Sequence, residues 1–151
     1  MRAALVACCL AALAPCAARA ADDPKPQGDL AKIQGRWTGK VGPEKNFPLV
    51  LVIEGTKANA SFTRPDGTDV ELKGKIKLDE AKTPKQMDWT GFVRPDGNAA
   101  EDNLGIYELD GDTLRVCNGG PGNDRPDKFE DGTDGPPHVI ILKREKAKDA
   151  K

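Results

Sequence analysis

Histidine and tyrosine each occur once in this chain, as His138 and Tyr107, and three of its four cysteines (Cys8, Cys9 and Cys16) sit in an apolar N-terminal segment. Beyond that segment only Cys117 is left, so no internal disulfide can form and stability must come from the core. One imidazole and one thiol fall short of a four-ligand zinc site without carboxylates. The expectation is therefore no metal and no cofactor. Charge of one sign is also missing, with 23 Lys and Arg against 24 Asp and Glu. Such a balance argues against nucleic acid or an anionic membrane as the main partner. Lys73, Lys75 and Lys77 form a basic stripe, but no exposed aromatics interleave with it for base stacking, so it reads as a solvated strand face. Long hydrophobic runs are absent too. The longest, Ala3 to Pro15, is too short to span a bilayer.

That run has the form of an export signal. Arg2 precedes it, and Ala18-Arg19-Ala20 follows as a small-residue cleavage site, which assigns residues 1–20 to a leader. Loss of Arg2 and Arg19 would carry the formal charge from −1 to −3. A lipid anchor at Cys16 is the weaker reading, because Pro15 fits poorly before a modified cysteine. Residues 21–28 then read as a linker, 29–145 as one domain and 146–151 as a charged tail. The expected product is an exported monomer, periplasmic or extracellular, with no membrane span.

Within the domain, short strands follow one another with turn signals about every ten residues. Asp29 reads as the cap of a short helical turn that ends at Gly35. Strands are expected over 36–41, 48–54, 59–64, 70–79 and 86–93, then as a hairpin over 104–118, and last over 138–144. The run 70–79 alternates most clearly, with Val70, Leu72, Gly74, Ile76 and Leu78 on one face. The run Leu49 to Ile53 is apolar throughout and reads as covered on both sides. In 86–93, Met87, Trp89, Gly91 and Val93 share one face, and Asp88, Thr90 and Phe92 the other. The hairpin is centred on Asp110-Gly111 as a type I′ turn, which would set Leu109 opposite Asp112 and Tyr107 opposite Leu114. Arg-Pro-Asp-Gly occurs at 64–67 and again at 94–97, best read as the same turn needed twice. The predicted fold is all-β, an eight-stranded antiparallel up-and-down barrel with a short N-terminal helical turn; an open sandwich is the alternative.

Gly35-Arg36-Trp37 at the start of the first strand resembles the G-x-W signature of lipocalins and their relatives. The segments LAKIQGRW, GIYELDGDTLRVC, RPDKF and VIILKREK together resemble a planctomycete-type family of uncharacterised lipocalin-like domains, over most of the chain. The resemblance implies a closed base where Arg144 stacks on Trp37 beside Gly35, and up-and-down order puts the Asp110-Gly111 turn at the same end. It implies no activity, and the T-D-Y motif and long C-terminal helix of true lipocalins are missing.

Up-and-down order places the turn after the first strand, both Arg-Pro-Asp-Gly turns and the segment 119–137 at one end, the mouth. Phe62, Arg64, Trp89, Arg94, Tyr107, Arg125 and Phe129 are the candidate binding residues of the mouth and interior, with Met87 beside them. A barrel of eight strands either fills with side chains or holds one small ligand, and the residues do not choose between the two. The mouth segments are rich in Asp and Glu, which predicts an acidic rim over a more basic base. Loops such as Asp131-Gly132-Thr133-Asp134 lack the later bidentate Glu of a calcium loop. Three functions follow as expectations. The first is a non-catalytic binding module for a small molecule or a protein. The second is a structural or inhibitory envelope domain with a filled core. The third is an enzyme built on Cys117 and His138, for which no orienting group or oxyanion site is visible.

Overall fold

A computed structural model describes residues 25–42 and 44–146. The expected leader, the Cys16 alternative, the first part of the linker and all but the first residue of the tail lie outside the described residues.

One short helix, α1 (Gly28–Lys32), precedes eight strands: β1 (Gly35–Val41), β2 (Phe47–Glu54), β3 (Lys57–Thr63), β4 (Asp69–Asp79), β5 (Gln86–Val93), β6 (Asn103–Asp110), β7 (Thr113–Asn118) and β8 (His138–Arg144). Each strand pairs antiparallel with the next, and β8 returns to β1, so the sheet closes as a barrel. Closure leaves no unpaired outer strand, which an open sandwich would have kept. Inward residues alternate as a pleated strand requires: Leu49, Leu51 and Ile53 on β2, Ala58 and Ala60 on β3, Leu114 and Val116 on β7.

Four sequence expectations are corrected. Val50 and Val52 of β2 are only partly buried, because the barrel covers one face of a strand and not two. Asp29 does not cap α1; it lies one residue inside the helix and the cap position, Gln27, makes no side-chain bond. The β6–β7 turn is centred on Gly111-Asp112, so Leu109 faces Leu114 and Tyr107 faces Val116. Gly111 has φ +53° while Asp112 does not enter the positive region. That is the type II′ requirement, glycine at the first central position only. The shift moves each partner by two residues, so both faces of the hairpin survive. On β5 the alternation breaks. Lys73 pairs Val93 while Lys75 pairs Thr90, three residues against two, and Gly91 takes φ +59° at this bulge. Phe92 therefore turns inward and is 6% exposed, and Val93 turns outward at 43%. The ring of Phe92 occupies the space a side chain at Gly74 would need.

The base is closed by the N-terminal segment. Trp37 is fully buried, and its Nε1–H donates to the Ile33 carbonyl at 2.8 Å. The Arg144 guanidinium carbon lies 4.2 Å from the Trp37 ring centre, the stack the sequence led us to expect. Arg144 also donates to the carbonyls of Lys32 and of Gln34, the latter at 2.7 Å, satisfying acceptors that the end of α1 leaves open. Its Nε reaches Asp112 Oδ1 at 3.0 Å and so ties in the β6–β7 turn. Gln34 holds the β2–β3 turn by accepting from Gly55 N–H at 2.6 Å and donating to the Gly55 carbonyl at 3.0 Å. The β4–β5 turn is held through Asp29, which is 2% exposed. Its carboxylate accepts from Lys32 at 2.8 Å, from Lys85 at 2.6 Å and from the Tyr107 hydroxyl at 3.1 Å.

Those bonds, with Lys32 first and Lys85 next, bring the Asp29 pKa from 3.8 to about 2. Burial beside that carboxylate pushes the Tyr107 phenol upward. A lowered folded pKa stabilises the fold above the unfolded value, and that contribution is lost as pH falls from about 4 towards 2. The amount is on the order of 2 kcal/mol. Urea unfolding of wild type and Asp29→Asn at pH 7 and pH 2.5 isolates it: the stability difference between the two should shrink by roughly that amount at the lower pH. Trp37→Ala should cost ~3–5 kcal/mol by the same measurement; a loss below about 1 kcal/mol would mean that Trp37 does not close the base.

Candidate functional site

The inward side chains nearest the mouth do not fill the barrel. They enclose a cavity of about 420 Å³, within the ~300–1,000 Å³ of ordinary small-molecule pockets. Its wall is largely apolar. Phe47 and Leu49 come from β2, Ala60 and Phe62 from β3, Leu72 from β4 and Ile140 from β8. The β5 bulge adds two neighbouring rings, Trp89 and Phe92, with centres 5.7 Å apart and planes tilted by 45°. Ala60 stands across from Leu72 where a larger residue would have closed the space.

A few polar groups interrupt this wall. Asn118 continues the inward series Leu114, Val116, and pairs across β7–β8 with His138, which also lines the cavity. Asn103 lines it too, with its Oδ1 accepting from Gly120 N–H at 3.0 Å. Among the described residues three buried side-chain atoms have no hydrogen-bond partner; Trp89 Nε1 and Asn118 Oδ1 belong to residues of the lining, and Asn59 Oδ1 does not. The charged residues on the lining are Lys40, Lys45 and Glu101.

The expected binding residues are thus divided. Phe62 and Trp89 meet at the cavity. Tyr107 does not line it; its hydroxyl reaches the base and Asp29. Arg64 and Arg94 begin the two Arg-Pro-Asp-Gly turns and do not line it either. Arg125 bonds Asp88 at 2.5 Å and the Gly105 carbonyl at 2.6 Å. Phe129 lies on the outside of the wall, against Ile106, Cys117 and Val139, with the Arg115 guanidinium 4.5 Å from its ring centre. Met87 is fully buried in the core and does not line the cavity.

The 119–137 segment is therefore a strap on the outer wall, not a mouth loop along its whole length. Only its ends, at Gly120, Pro121 and Pro136, reach the cavity. Asp131 pins the strap at the β1–β8 seam. Its carboxylate accepts from Val139 N–H at 2.9 Å and from Lys45 at 2.6 Å, and both bonds hold its pKa down, with Lys45 the stronger cause. Ladder pairing between β1 and β8 covers only Trp37 with Arg144 and Thr38 with Lys143, so Asp131 takes the place of a strand neighbour further along.

The acidic rim is not found in the cavity lining, where Lys40 and Lys45 stand against Glu101 alone. Carboxylates of the mouth turns serve the backbone instead. Asp66 accepts from Thr68 N–H and Asp96 from Asn98 N–H, and those backbone bonds are the main reason both pKa values are lowered. The two Arg-Pro-Asp-Gly segments make the same turn, with Gly67 and Gly97 both at φ +81°.

Cys117 and His138 are not brought together. They sit on successive rungs of β7–β8, and alternation points the thiol outward and the imidazole inward. The Cys117 thiol donates to the Glu130 carbonyl at 3.7 Å, and burial pushes its pKa up. Among the described residues no group of three or more His, Cys, Asp or Glu side chains could hold a metal ion.

Sequence reasoning missed Asn118, Asn103, Phe47 and Ile140. Asn118 carried a usable signal, a polar residue ending an inward apolar series on β7.

Fold and site together define a closed eight-stranded β-barrel with a plugged base and a largely apolar cavity at its mouth. Comparison of the chain with protein-family models, curated proteins and solved structures returned no match.

The strap shields Cys117, so a thiol reagent should modify the native protein far more slowly than the urea-unfolded chain. Phe129→Ala should raise the native rate without unfolding the barrel, read by thiol labelling beside circular dichroism. Equal rates in the two proteins would show that Phe129 does not anchor the strap.

Proposed function

We propose that this protein is an exported, non-catalytic binding protein that takes one small, mainly apolar molecule into the mouth half of its barrel. The observation that carries this reading is the cavity of about 420 Å³, walled by Phe47, Phe62, Leu72, Trp89 and Phe92. Natural interiors are packed densely, and a cavity of this size in a small core forgoes contacts that larger side chains would have supplied. A bound apolar molecule restores them and removes its own surface from water. The likeness of Gly35-Arg36-Trp37 and its companion segments to lipocalin-like domains supports the same reading, as does an export signal at residues 1–20. One barrel holds the whole cavity, so binding in this reading needs no second copy of the chain.

A plugged variant tests this. N-phenyl-1-naphthylamine, a neutral probe whose emission rises in apolar surroundings, should bind the wild type and brighten. Ala60→Trp fills the cavity from β3 and should abolish the increase while the β-sheet spectrum and melting midpoint stay close to wild type. Equal brightening of both folded proteins would place the probe elsewhere and remove the basis for this function.

A further inference from the structure

We infer that the ligand is an anionic amphiphile: its apolar body lies in the cavity, and its negatively charged head lies at the mouth end of the β1–β8 seam, received by Lys40 and Lys143. The inference rests on the binding function proposed above and names the class of ligand.

The seam is the one strand junction where ladder pairing falls far short of the strands. It stops after Trp37–Arg144 and Thr38–Lys143, although β1 runs on to Val41 and β8 begins at His138. Gly39 keeps the seam tight as far as Ile141, since a Cβ there would lie 2.7 Å from the Ile141 carbonyl oxygen. Beyond that point no ladder pair joins the two strands, and the Lys45–Asp131 pair stands beside them. A groove of about 410 Å³ runs along the outside of this junction. Lys40, Lys45 and Val139 belong to its wall and to the wall of the cavity, so inside and outside adjoin here, at a notch in the rim.

The charge at the notch has one sign. Lys40, Lys45 and Lys143 line the groove, and among the described residues no carboxylate does. Thr38 pairs with Lys143, and Lys40 follows two residues along β1, so the two lysines are diagonal neighbours on the outer face. Lys40 is exposed and has no hydrogen bond or ion pair among the described residues. The Lys143 ammonium has only the uncharged Thr113 hydroxyl, at 2.5 Å. Lys45 is engaged by Asp131, which also accepts from Val139 N–H, so the two other ammoniums are the ones left for an incoming anion. Glu101, the one carboxylate on the cavity lining, lies against Gly122 on the β5–β6 connection, four strands round from β1. A head at the notch stays in contact with water and avoids the cost of burying its charge, while the body leaves water for the apolar wall. A cationic head would meet two uncompensated cations.

A matched pair of probes decides this by fluorescence titration at neutral pH. N-Phenyl-1-naphthylamine and 8-anilino-1-naphthalenesulfonate share one body, and only the second is charged. The readout is the ratio of sulfonate affinity to neutral affinity. Lys40→Gln should lower that ratio about threefold and Lys40→Glu about tenfold, with Lys143→Gln acting in the same direction, while affinity for the neutral probe holds. High salt should lower the ratio in the wild type and leave it almost unchanged in Lys40→Gln. Lys75→Gln removes the same charge from the outer face of β4 and should leave the ratio as it is. A ratio that ignores Lys40 and Lys143, or falls equally with Lys75→Gln, would overturn the anionic head and leave the cavity function standing. Sulfonate binding that survives the Ala60→Trp plug would overturn it as well, by separating the charge from the cavity. Failure of both probes to bind the wild type would overturn both readings.

Discussion

A barrel that lacks a disulfide has to be held shut at its base by non-covalent bonds, and here the closure runs through the carboxylate of Asp29. That group is nearly inaccessible to water and accepts from Lys32, Lys85 and Tyr107, which belong to the helix, the β4–β5 connection and β6. A buried carboxylate is costly unless it is paired and fully bonded. Asp29 is both, so the three elements are held to one geometry. Trp37 and Arg144 complete the closure alongside it. The indole fills the floor, while the guanidinium covers it and binds the loose carbonyls of α1. Gln34 and Asp112 extend the same network to the remaining two base turns.

With the base rigid, the mouth half is free to be hollow. Ile33, Trp37, Met87, Tyr107 and Leu142 pack the lower core completely. Towards the mouth, aromatic residues stand around open space instead of meeting across it. The Gly91 bulge shapes this wall, since it brings Phe92 to the inner face beside Trp89. Outside, the strap covers Ile106, Cys117 and Val139, which would otherwise be an apolar patch on the barrel wall. The molecule thus has a packed base and a hollow mouth on the inner face of its eight strands, and a small second core on the outer face under the strap.

The alternation of Val70, Leu72, Gly74, Ile76 and Leu78, the turn residues between runs and the absence of any long helical pattern determined by themselves an eight-stranded antiparallel meander, because side-chain direction in a strand repeats every two residues. The pairing of Trp37 with Arg144 was legible through resemblance, and Phe62 and Trp89 as cavity residues through their place on inward faces. Tertiary structure alone decided the rest. A bulge reverses alternation at one residue, and Gly91 in a sequence looks the same whether it bulges or continues the strand. Asp29 was read as a cap because local sequence cannot register Lys85 and Tyr107, which reach it from far along the chain. The strap was read as a mouth loop because chain order places its ends, while Phe129 and Arg125 place its middle through contacts with the outer wall. Asn118 gained meaning only when closure of the barrel set it in the cavity wall above Gly105. In each case the missing information was a contact between residues distant in sequence, which periodicity and turn chemistry do not carry.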